Sequence, residues 1–197
     1  FNTELVKINS DENFIVINAD KVNTIISASG SHTTINSNAQ FNQLCSTGSY
    51  AKISSTGSNN QIVSTGDFSS IISSGFETHI ASTGSNARIV SSDGLTEITS
   101  IGDDAHIITV GRDTFVNSNG NNAVIVCEGR GTKVKAKKGS LITLTEWWTP
   151  SPYREDNVHN FIKRIKTEYV DGVNIKGDTW YEIRNGEFVE TRPYTGH

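Results

Sequence analysis

Residues 49–66 read SYAKISSTG followed by SNNQIVSTG, two nonapeptides with Ile53 and Ile62 nine residues apart and a Gly closing each. Stepping by nine in both directions meets fifteen residues from Ile8 to Val134, all apolar and nearly all β-branched. Two places later the residue is always small, from Ser10 through Ser55 and Ser64 to Cys127 and Ala136. Two places earlier it is mostly Ala, Thr, Ser or Asn, and the last residue of the unit is Gly in ten repeats. With the Ile numbered as position 5, small or apolar residues at positions 3, 5 and 7 give the period-2 signature of a strand with one buried face. Gly at position 9, with Ser, Thr or Asn beside it, predicts a tight turn in which Gly supplies the positive φ.

A five-residue strand plus a four-residue corner is half of a flattened coil, so two nonapeptides make an 18-residue turn of a parallel β-solenoid. At about 4.8 Å per coil, about seven coils give a rod on the order of 35 Å long. The expected fold is all-β, with a solenoid over residues 1–139 and a small antiparallel β cap over 140–197. Calcium-binding nonapeptide solenoids carry a repeated Asp. Positions 1 to 4 between residues 22 and 66 contain no acid, and no metal or cofactor is expected.

A net charge of −4 and a pI near 5.7 give no basis for a nucleic-acid or anionic-membrane partner. No apolar run approaches the roughly 18 residues that span a bilayer. The chain contains no Met and opens on Phe1, so its native start, with any leader, is expected upstream. Cys45 and Cys127 fall roughly 20 Å apart along such a rod, beyond the about 7 Å reach of a disulfide. A cytoplasmic setting fits that.

Residues 18 apart should stack, and the outward position 6 then separates the two sheets. One carries Asn18, Asn36, Ser54, Ile72, Val90, Ile108 and Val126; the other carries Asn9, Ser27, Cys45, Val63, Ala81, Thr99 and Asn117. Ile72, Val90, Ile108 and Val126 form an outward apolar ladder, which the C-terminal region covers, or a second copy does, most simply in a two-fold dimer, or which reflects β-propensity with no partner. Thr47, Thr65 and Thr83 stack at position 8 over too few coils for an ice-binding array, and read as turn chemistry. Phe41, Tyr50 and Phe68 at position 2 suit corner packing better than stacking on sugars. His79 should stack on Glu97 and Arg88 on His106, as surface electrostatics without a nucleophile beside them. His32, His159 and His197 have no companions that suggest a metal, and no phosphate loop or nucleophile elbow is present. No enzyme is expected.

The repeat changes character at RGTKVKAKKG, where Arg130, Lys133, Lys135, Lys137 and Lys138 cluster. They are a candidate anion contact, though lysines guarding the rim of a sheet stack explain them better. SLITLTEWW and a Pro-containing loop through Tyr153 follow, then short strands separated by Asp171-Gly172, Gly177-Asp178 and Asn185-Gly186, hairpin signals all. A last coil exposes its core, and Trp147, Trp148, Trp180 and Tyr181 are the candidate cap. Leu5, Val6, Phe14, Ile15 and Val16 make the N-terminal coils bulkier, as if they too meet a partner.

The STG-type repeats, then VKAKKGSLITLTEWW, then VDGVNIKGDTWYEIRNGEFVE, resemble a family of nonapeptide-repeat proteins of phages, prophages and gut bacteria. The resemblance covers most of the chain, which has less Ala and more Ile than the family. It implies a phage-associated origin, which with the cysteine reading gives an expected setting in the host bacterium's cytoplasm, and it brings no activity or site residues. The function expected is a non-enzymatic interaction module binding a host protein, such as a defence-system component. The alternative is a surface, virion or glycan-binding rod. Seven acids against three bases over residues 22–127 are too few for a DNA mimic.

Overall fold

The computed structural model describes residues 5–148 and 161–193. The loop through Tyr153, together with His159 and His197, lies outside the described residues. Each nonapeptide forms one strand, from β1 (Val6–Ser10) and β2 (Val16–Ala19) to β14 (Val124–Cys127) and β15 (Lys133–Ala136). The opening stretch becomes β6 (Lys52–Ser55) and β7 (Gln61–Ser64), so most strands cover positions 4 to 7 only. Odd-numbered strands stack in one parallel sheet and even-numbered strands in the other. Neighbours are one coil apart, with Ile53 beside Ile71 and Ile62 beside Ile80. The result is a β-solenoid of about eight turns.

The position-5 side chains of both sheets meet in the middle, and Ile26, Ile35, Ile62, Ile71, Ile89, Ile98, Ile107 and Ile125 are wholly buried. Each contributes roughly 1.5–3 kcal/mol by leaving water. Positions 3 and 7 flank them at the narrow corners, where hydroxyls and amides must find partners indoors. Thr33, Thr78 and Thr114 at position 3 each donate to the position-9 carbonyl three residues earlier. Ser64 donates to Ser69 Oγ at 2.7 Å, and Ser91 to Thr96 at 3.0 Å.

Where the next position 3 is Ala, that partner is missing. Ser46, Ser82, Ser100 and Ser118 precede Ala51, Ala87, Ala105 and Ala123, and all four hydroxyls are buried without a hydrogen bond. A buried unpaired hydroxyl costs about 1–3 kcal/mol. Ser100→Ala should therefore hold or raise the thermal midpoint. Ser64→Ala, which strips Ser69 of a partner, should lower it; calorimetry of both variants checks the pair.

The corners correct one expectation. None of the position-9 glycines has positive φ; the left-handed residue is position 2, from Phe14 to Asn122, with φ of 52–58° at thirteen non-Gly residues. Its N–H turns to the next coil, as Tyr50 donates to the Asp67 carbonyl and Phe68 to that of Ser85. The glycines answer a close approach between coils, not a demand for positive φ. A Cβ on any of the ten would lie 1.8 to 2.2 Å from the carbonyl oxygen of the coil before it. Ala39 and Asp93 also occupy the position. Beside Ala39 the bond from Asn38 to Ala19 lengthens to 3.4 Å, and nothing explains the fit of Asp93.

The solenoid runs one rung past residue 139. β16 (Leu141–Trp148) pairs parallel with β14, Leu141 beside Val124, after a step one residue short that Gly139 turns at φ 96°. β17 (Phe161–Tyr169) closes the even sheet antiparallel to β16. β18 (Thr179–Arg184) and β19 (Glu187–Glu190) close the odd sheet antiparallel to β15. Asn185 and Gly186, both at positive φ, form the two-residue turn that the Asn-Gly pair predicts.

Of the four expected cap residues, only Tyr181 enters the core. It is beside Val134, and its hydroxyl accepts the Lys176 N–H at 2.9 Å. Val170 and Ile175 join it inside. Trp180 alternates to the outer face, edge-on to Phe115 with their centroids 6.3 Å apart. Trp148 stacks on Phe161 at 5.0 Å, and Trp147 donates to the Glu128 carbonyl at 2.6 Å. Strand alternation, which places neighbours on opposite faces, decides which ring goes in.

Candidate functional site

The outer faces of the two sheets differ in chemistry. On the even sheet, position 6 stacks Ser54, Ile72, Val90, Ile108 and Val126 in register, then Thr143 of β16. Ile72 is 51% exposed and Ile108 43%, and among the described residues the C-terminal strands lengthen the sheet instead of covering this ladder. The apolar face continues onto them. Leu141 is beside Val124 and Tyr169, while Thr143 and Thr167 share a hydrogen bond of 2.9 Å. Two residues on from Thr167, Ile165 is 61% exposed. From Ile72 to β17 this spans six strands, roughly 24 Å at about 4.8 Å each, and a patch of a few hundred Å².

The odd sheet presents Asn9, Ser27, Cys45, Val63, Ala81, Thr99 and Asn117 instead. His79 Nδ1 lies 3.1 Å from Glu97 Oε2 there, both well exposed, beside a shallow cavity of about 310 Å³ floored by Val63 and Ala81. Arg88 and His106 are neighbours on the even sheet. Both cysteines are free, and burial pushes the Cys127 thiol up, away from nucleophilic use.

The five basic residues of 130–138 do not form one patch. Lys133 donates to the Arg192 carbonyl and lies over the Phe115 ring, while Lys135 lies 5.6 Å from the Trp180 centroid. The Lys138 stem packs against Gly172, and Arg130 borders cavities with Trp147. Backbone and side-chain N–H groups of Asn121, with Lys137 nearby, hold the Asp103 carboxyl below its usual range. Nor do the lysines guard an open rim, since β18 covers the edge of β15.

Position 2 holds a feature that the sequence reading took one residue at a time. Phe14, His32, Tyr50 and Phe68 stack face to face, their centroids 4.7, 4.8 and 5.1 Å apart and their planes within 7°. They are exposed rings along one corner, not corner packing. Stepping by 18 from Tyr50 would have found all four. Phe41 stands on the opposite corner, also exposed.

After β17 the chain turns at Asp171, whose Oδ1 accepts the N–H groups of Val173, Asn174 and Ile175 at 2.7 to 3.1 Å. Led by Val173, these bonds pull its pKa down to about 2. A depressed carboxylate stabilises the fold above its unfolded pKa near 3.9 and loses that contribution as pH falls through about 2. The protection of the Val173–Ile175 amides against exchange, relative to an unstructured peptide at the same pH, should therefore fall between about pH 4 and 2. Asp171→Asn should remove that step.

No helix among the described residues is long and apolar enough to cross a membrane. The class that the fold defines is a parallel β-solenoid repeat protein. No protein-family model, no curated protein and no solved structure matches the chain.

Proposed function

We propose that the chain is a non-enzymatic protein-interaction module of phage or prophage origin, working in the cytoplasm of a host bacterium. The observation that carries this reading is the contrast between the two outer faces: the even one has an open apolar ladder from Ile72 to Val126, continued by Leu141 and Tyr169 and bordered by Arg88 and His106, while the odd one is mostly polar around Val63 and Ala81. A flat sheet packs well against another sheet about 10 Å away, so the simplest occupant of the apolar face is a second copy in a two-fold pair. The remaining faces then meet a host protein, a defence-system component being the natural target of a phage product.

Val90→Lys with Ile108→Lys places two charges in the ladder. Light scattering should show the wild-type mass of a dimer falling to that of one chain, with circular dichroism unchanged; an unchanged mass contradicts the pairing. Co-purification from host extract should recover a stoichiometric host protein. Capture by glycans with no such protein would favour the second reading, a surface or virion rod. The exposed aromatic row at position 2 is the observation on its side.

A further inference from the structure

Phe14, His32, Tyr50 and Phe68 stand at one corner of four successive coils in the left-handed conformation, with φ of 56–58°. That conformation crowds a Cβ and suits Asn or Asp, and the next three coils place Asn86, Asp104 and Asn122 there at φ of 55–58°. The corner therefore folds without aromatic residues. The four rings combine a disfavoured backbone with apolar surface left in water: Phe14 is 76% exposed, Tyr50 48% and Phe68 49%. Stacking on one another offsets part of that cost and does not account for the exposure. Strained backbone under a contiguous row of exposed rings marks a recognition surface.

The geometry limits the occupant. The centroids lie 4.7 to 5.1 Å apart, whereas a ring inserted between two others needs about 7–8 Å, twice the carbon contact distance. The inner faces are closed to sugars, which turns the row from a glycan toward a protein. What it presents is ring edges, the positive end of the aromatic quadrupole. A strand cannot add here, because the N–H groups of all four residues are already donated to carbonyls of the next coil. Nor is charge what is read. Between residues 22 and 66 the sole Lys, Arg, Asp or Glu is Lys52, in the even sheet, and the Asp67 carboxylate accepts the Ser85 N–H.

An extended chain rich in free carbonyls and poor in N–H groups fits what remains. The ring edges, the Tyr50 hydroxyl and the exposed Thr47, Thr65 and Thr83 of the same corner all stand on the donor side. Polyproline II has no internal hydrogen bonds, so each of its carbonyls seeks a donor, and proline brings no N–H that would go unpaired. The period agrees as well. Such a chain advances about 3.1 Å per residue with three residues per turn, returning one face about every 9.3 Å, and alternate rings of the row are about 9.5 to 10 Å apart. Aromatic-lined surfaces are how proteins hold proline-rich segments.

We propose that the corner row from Phe14 to Phe68 binds a proline-rich segment of a partner protein, held in the polyproline II conformation along the rod. The proposal rests on the reading of the chain as an interaction module and names the chemistry of its partner; it does not depend on the apolar ladder. A labelled polyproline peptide of about twelve residues, long enough to span the row, would be titrated with the full chain and followed by fluorescence anisotropy, beside a flexible Gly-Ser peptide of equal length. Polyproline should bind at or below about 0.1 mM and the Gly-Ser peptide at least about tenfold more weakly. Tyr50→Asn should weaken polyproline binding about tenfold. Its circular dichroism should be unchanged, since Asn86 holds the same corner position at the same φ of 58°, which separates lost binding from lost fold. Phe68→Asn, which gives up one stacked neighbour instead of two, should act in the same direction. The proposal is overturned if polyproline fails to bind at about 1 mM, if both peptides bind equally, or if Tyr50→Asn binds as the wild type does. A host protein recovered from extract by a chain that does not bind polyproline overturns it too, and leaves the interaction-module reading standing.

Discussion

Gly84→Ala should lower stability by about 3 kcal/mol and the thermal midpoint by about 10 °C. Its new Cβ would lie 2.1 Å from the Gly66 carbonyl oxygen, a backbone atom that no rotamer change can move aside. The coil would have to lift, breaking rungs such as that from Thr83 to Ser64. Gly84→Asn tells the two roles of glycine apart. Asn tolerates left-handed φ, so a turn glycine accepts it; a glycine chosen for lack of space does not. The two variants should be about equally destabilised by chemical denaturation. An Asn variant near wild-type stability would contradict the close-approach account.

Ile98→Ala should cost about 2–5 kcal/mol, the range for emptying a buried aliphatic site. Ile98 lies between Ile80 and Val116 in the odd sheet and is fully buried. A flattened coil cannot collapse onto the space, because its width is set by the strands on either side. The rod is close to one-dimensional, with each coil held by its neighbours. A central break should therefore also loosen the coupling of the two ends, and the melting transition should broaden. Ile26→Ala, two coils into the described rod, should cost a similar local amount with less broadening. Equal sharpness for both would show that the rod melts as one unit.

Much of the architecture was legible because it rests on period alone. Ile at every ninth residue and small residues around it left one way to bury one face, and the 18-residue register of Ile53 with Ile71 followed. The role of Gly was not legible. Glycine answers both a demand for positive φ and a demand for space, and only the distance between coils separates them. The cap shows the same limit. Its aromatic content was plain, but whether Trp180 or Tyr181 points inward depends on which of them meets Val134 across β15 and β18.

The structure stacks Ile72, Val90, Ile108 and Val126 in the register that the 18-residue period predicts. The ladder's continuation through Leu141 and Tyr169 was hidden by the one-residue step at Gly139 and by β17 running antiparallel.

Hydroxyl-radical footprinting of the associated protein against the dilute chain tests the central claim, that the even outer face is the docking surface. Ile72, Ile108, Leu141 and Tyr169 should be protected on association, while Tyr50 and Phe68 on the corner and Val63 on the odd face keep their reactivity. Protection of Val63 and its neighbours, with Ile108 and Tyr169 as reactive as before, would contradict it.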